Sequence, residues 1–113
     1  MTFKKVKNAT YEWPIKFNYP SETDGKIETE EFFGTFKRYT YTELKELESL
    51  PDQEAAVQVL RGWKDVQAED GTIYPYTEEN KKALFEEYPG LQSAVVYAWF
   101  DSIKKVAEKN LKQ

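Results

Sequence analysis

The chain contains neither cysteine nor histidine. Without cysteine no disulfide framework is possible, and nothing argues for an oxidising compartment. Zinc sites built from Cys and His are excluded. So are serine–histidine and cysteine–histidine nucleophile pairs, and a histidine general base. Catalysis would have to rest on paired carboxylates, a lysine Schiff base or a metal held by oxygens. Glycine is also scarce. Its five positions, 25, 34, 62, 71 and 90, form neither GxGxxG nor the P-loop pattern, so no phosphate-binding loop is expected. No apolar run approaches the ~20 residues that span a bilayer. Met1-Thr2-Phe3-Lys4-Lys5 is not followed by the apolar stretch of a signal peptide. The expected location is the cytoplasm, with no membrane partner.

Aromatic residues are plentiful: 3 Trp, 8 Tyr and 7 Phe in 113 residues. Each buries a large area, so the chain is expected to form one domain, 1–113, with a core that needs no disulfide or metal. The net charge of −4 argues against a nucleic-acid module, which usually has a basic balance. Charge is unevenly placed. Lys4, Lys5, Lys7 and Lys16 precede Glu22, Asp24, Glu28, Glu30 and Glu31. Opposite charges of this kind can pair across a hairpin.

Tyr11, Trp13, Ile15, Phe17 and Tyr19 alternate with Glu12, Pro14, Lys16 and Asn18. That period of two predicts a half-buried strand, with Pro14 on an edge or at a bulge. Asp24-Gly25 predicts the following turn. A second strand over roughly 26–39 has apolar residues of both parities. Either both faces are partly covered or a bulge near Gly34 changes the register. Thr40 and Glu43 form a capping box ahead of a short helix with Leu44, Leu47 and Leu50. After Pro51 and Asp52, residues Ala55 to Trp63 read as a second helix. Asp70-Gly71 predicts a tight turn within a second small hairpin or ordered loop. Thr77 caps a third helix, and Pro89-Gly90 breaks it. A long C-terminal helix runs from about Leu91 to Leu111, with Lys104, Lys105, Lys109 and Lys112 near the negative end of its dipole. The order predicts an α+β fold: an N-terminal antiparallel β-hairpin, a possible second small hairpin, and three to four helices.

No motif points to chemistry. Glu28, Glu30 and Glu31 alternate along a strand and read as a solvated face. Asp65, Glu69 and Asp70 lack the ligand spacing of an EF-hand loop. Catalytic, cofactor and metal residues are therefore expected to be none. Trp13, Phe17, Tyr19, Phe32, Phe33 and Phe36 could stack bases, although a sheet face packed on helices accounts for them more simply. The last helix is the most informative element. Leu91, Val95, Ala98, Trp99, Ser102, Ile103 and Val106 make one buried stripe. Val96, Tyr97 and Phe100 widen the apolar arc, which signifies central burial or a partner surface. These three are the candidate partner-binding residues.

From Leu60 to Asn110 the chain resembles the tail assembly chaperones of long-tailed bacteriophages and prophages. The resemblance rests on Gly62-Trp63-Lys64-Asp65-Val66, Glu69-Asp70-Gly71-Thr72, Tyr74-Pro75-Tyr76-Thr77-Glu78-Glu79-Asn80, Leu84-Phe85, Tyr88-Pro89-Gly90, Ala94, Tyr97-Ala98 and Glu108-Lys109-Asn110. The first half fits through Trp13-Pro14-Ile15, Phe33-Gly34-Thr35-Phe36-Lys37-Arg38 and Thr42-Glu43-Leu44. The resemblance implies a non-enzymatic protein of the bacterial host cytoplasm. It would keep the tape measure protein soluble and help the tail tube protein assemble around it. Two alternatives stand beside it: a tail completion or connector component, and a small prophage regulator that binds nucleic acid.

Overall fold

The computed structural model describes residues 2–5 and 9–111. The alternating aromatic segment forms strand β1 (Thr10–Pro20), and its Tyr11, Trp13, Ile15, Phe17 and Tyr19 all turn to one face. The chain reverses through Ser21–Lys26, closed by Ser21 N–H donating to Lys26 O at 2.8 Å. Asp24 and Gly25 adopt φ of 65° and 70° there, the left-handed region that Gly and Asp tolerate best. Strand β2 (Ile27–Lys37) pairs antiparallel with β1 in unbroken register from Thr10↔Lys37 to Pro20↔Ile27. Pro14 lies in that register on an edge strand, where a missing N–H is tolerated.

The parity problem in β2 has a specific solution. Phe32, Gly34 and Phe36 face the core, while Phe33 and Thr35 lie half-buried on the outer face. Lys64 arches over Phe33, its Nζ 5.0 Å from the ring centroid. The irregularity expected near Gly34 falls between Thr35 and Phe36, in the pairing with β3. Thr35 pairs with Gly62 and Phe36 with Leu60, so Arg61 is the extra residue and the bulge belongs to the partner strand.

Strand β3 (Leu60–Lys64) corrects the sequence reading, which continued the second helix to Trp63. Helix α1 (Tyr41–Glu48) has the expected reciprocal capping box. Helix α2 (Asp52–Val59) stops at Val59, and the chain passes directly into β3. The apolar run Val57–Leu60 suits either structure by period. Pairing of Leu60 and Gly62 with β2 decides the matter. Gly34 makes that pairing possible. A Cβ there would sit 2.5 Å from Ile15 Cδ1 and 3.0 Å from Leu60 Cδ1.

The expected second hairpin is a single antiparallel bridge, Gln67↔Ile73. Trp63 pins the loop by donating from Nε1 to Tyr74 O at 2.8 Å, with Tyr76 edge-on to its ring at 4.9 Å. Helix α3 (Glu78–Glu87) is capped by Thr77. Helix α4 (Pro89–Leu111) begins at Pro89, where the absent N–H costs no helical bond.

The architecture is thus α+β: a three-stranded antiparallel sheet ordered β1-β2-β3, with helices on its inner face. One core joins Ile15, Phe32, Phe36 and Leu60 of the sheet to Val59, Phe85, Val95 and Trp99 of the helices. Among the described residues the hairpin charges do not pair as expected. Lys16 faces Glu31 in register without forming an ion pair, whereas Glu12 reaches across the outer face to Lys64 at 3.1 Å. Lys7 and Lys112 lie outside the described residues.

Candidate partner-binding surface

Helix α4 supplies the candidate surface. Its sequence divides around the helix axis because residues three and four apart share a face. Leu91, Val95, Val96, Ala98, Trp99 and Ser102 form the buried side. Two polar contacts fix the orientation of that side. Ser102 Oγ donates to Trp99 O at 2.6 Å and lies 2.7 Å from Tyr11 Oη. Since the serine proton is engaged with Trp99, Tyr11 donates to Ser102. Burial raises the Tyr11 pKa above its ordinary value.

The structure separates the three predicted partner-binding residues. Val96 is only 5% exposed and belongs to the core, so it has no surface to offer. Tyr97 is 74% exposed and Phe100 43% exposed. The spacing Ser93, Tyr97, Phe100, Lys104 places all four on one outward face, and all are exposed. Phe100 rests against Trp99, with centroids 4.8 Å apart, so this face is continuous with the core beneath it. Beside it a groove of about 780 Å³ separates α4 from β1, lined by Trp13, Phe17, Ala94, Tyr97 and Lys105 among others.

The apolar stripe of α4 also outruns the domain. Ile103 is half-buried, but Val106 is 56% exposed and Leu111 86%. The surface therefore combines exposed aromatics with a shallow groove, which suits an extended or helical protein partner.

The acidic segments are accounted for locally. Glu28 and Glu30 share the inner face of the hairpin end, and Glu31 points the other way. Asp70 accepts from Thr72 N at 3.0 Å and Thr72 Oγ1 at 2.7 Å, which holds its carboxyl below the usual aspartate value. Among the described residues no three acidic side chains converge as a metal site would require. Nor is any helix among them long and apolar enough to cross a membrane.

A family model described as YdaY prophage protein matches residues 22–110. The chain belongs to the YdaY prophage protein family. No curated protein and no solved structure is matched. The span matched by the YdaY family model begins in the β1–β2 turn. It takes in β2, β3 and the four helices, Tyr97 and Phe100 included, and leaves β1 outside.

One residue with a defined role escaped the sequence reading. Lys81 of α3 is 1% exposed and inserted between α2 and β3. Its spacing four residues before Phe85, on the same helical face, was the available signal.

Proposed function

We propose that this prophage protein is a tail assembly chaperone of the bacterial host cytoplasm. In this reading it binds the tape measure protein, holds it soluble and assists assembly of the tail tube protein around it. It acts by binding, without catalysis. The observation that carries the reading is the outward face of α4, where Tyr97 and Phe100 stand exposed over the core. Membership of a prophage family supports the phage context. The absence of cysteine and histidine from the sequence supports binding over chemistry.

A tape measure protein is a long helical chain that exposes apolar stripes until the tube encloses it. A small face of two aromatics gives modest affinity per contact. Several copies along one partner would then act together and still release when the tube assembles.

The test is co-expression with the neighbouring tail genes, followed by affinity capture of this chain. Recovery of the tape measure protein, soluble only when this chain is present, is expected. The Tyr97→Ser/Phe100→Ser variant should fold and lose that partner. A folded wild-type chain that leaves the tape measure protein insoluble refutes the proposal.

A further inference from the structure

A second concavity, of about 290 Å³, lies between the turn end of the hairpin, the start of the β3–α3 loop and the α3–α4 junction. Phe17, Tyr19, Phe32 and Tyr88 are its aromatic lining, and Glu30, Glu31 and Asp65 its acidic residues, of which Glu31 points to the opposite face of β2. Phe17 stacks on Tyr19 with centroids 5.7 Å apart and meets Tyr88 edge-on at 5.7 Å. The three rings are thus one connected wall. Tyr19 Oη donates to Glu30 Oε1 at 3.2 Å and so steadies that carboxylate.

The charge on this wall is uncompensated. No lysine or arginine lines the cleft. Among the described residues neither Glu30 nor Asp65 joins an ion pair, whereas Glu12, Glu43 and Glu78 each do. The Tyr19 hydroxyl is perturbed first by Glu28, outside the cleft, and less by Glu30 within it. Hydrogen bonding to Glu28, then desolvation, then Glu30, push its pKa up to about 12.

We infer that this cleft receives an arginine side chain presented by a protein partner. A guanidinium is flat and weakly hydrated. It can lie on an aromatic ring while its N–H fork donates to a carboxylate. Rings beside unpaired carboxylates in one concavity meet both requirements. The cleft shares no residue with the Ser93–Tyr97–Phe100–Lys104 face and one, Phe17, with the groove beside it, and the inference does not depend on the chaperone reading.

The test is an NMR titration of the full chain with acetyl-Gly-Arg-Gly-amide and with its neutral citrulline counterpart. The arginine peptide should shift the ring resonances of Phe17, Tyr19 and Tyr88 saturably, and the citrulline peptide should not. Glu30→Gln/Asp65→Asn should weaken binding about tenfold or more, since charged hydrogen bonds are removed. Asn also accepts the left-handed backbone of residue 65, where φ is 64°. Tyr88→Leu should weaken binding independently, and Glu86→Gln on the exposed side of α3 should leave it unchanged. Equal shifts from both peptides, undiminished binding by the folded double variant, or no saturable shift would each overturn the inference.

Discussion

The ammonium of Lys81 donates to the carbonyl oxygen of Val57 at 2.6 Å, deep between α2 and α3. It also donates to Leu60 O at 3.0 Å and meets Glu78 Oε2 at 3.0 Å. An ammonium has three protons, and these three acceptors take all of them. Val57 lies in the last turn of α2, whose carbonyls have no helical partner. Lys81 therefore closes α2 at the point where the chain becomes β3. Tyr76 completes the node. Its hydroxyl lies 3.0 Å from Leu60 O and 3.1 Å from Glu78 Oε1, and burial with that carboxylate pushes its pKa up to about 12.

Lys81→Met should keep the stem's packing and strand the Val57 carbonyl, leaving Leu60 O to the Tyr76 hydroxyl. The expected loss is roughly 2–3 kcal/mol, read from urea denaturation. Lys81→Arg should not restore stability, because a planar fork cannot reproduce a three-way ammonium contact. Glu78→Gln should cost less than about 1 kcal/mol, since the Glu78 side chain is 62% exposed.

Acid should weaken this node and the α1 capping box. Lys81 holds the Glu78 carboxyl below its ordinary pKa, and the Thr40 backbone N–H does the same for Glu43 in the capping box. Both folded values lie below the unfolded ones. Their stabilisation is thus present above the usual glutamate pKa of about 4.3 and lost as pH falls through the folded values. Thermal melts of Glu43→Gln/Glu78→Gln should show a shallower decline below about pH 4.3 than wild type. An unchanged acid limb would show that other carboxylates control it.

Gly34→Ala should destabilise by about 1–3 kcal/mol through overpacking against Ile15 and Leu60. Pairing the change with Ile15→Val should recover part of the loss. Simple additivity of the two would show that the clash is not at Ile15.

Stability should separate the α4 residues that were first grouped together. Val96→Ala should cost roughly 1–3 kcal/mol, as a truncated core residue does. Tyr97→Ser should fall within about 0.5 kcal/mol of wild type, as exposed substitutions do. A large loss from Tyr97→Ser would place that side chain in the fold and remove it from the candidate surface.

Much of this architecture was legible in local signals. Alternation gave β1, Asp24-Gly25 gave the turn, and Thr40 with Glu43 gave the start of α1. Each depends on neighbours within a few residues. What escaped depends on distant partners. Leu60–Lys64 is a strand because β2 supplies its ladder, and Lys81 is buried because Val57 and Leu60 supply acceptors. Neither partner is visible in a local window. The candidate surface was half legible. Periodicity identified α4 as too apolar for one buried stripe, but only the packing of Val96 showed which part of the arc stays inside.

The direct passage from Val59 of α2 to Leu60 of β3 has a mechanical consequence. With no intervening linker residue and with Lys81 clamped across the junction, α2 has no hinge against the sheet. A load applied through the sheet reaches α2 without slack, and α4 rests on both α2 and β1. The Asp65–Thr77 connection is tied down as well, by Trp63 Nε1 to Tyr74 O and Asn80 Nδ2 to Pro75 O, so the C-terminal helices share that stiffness.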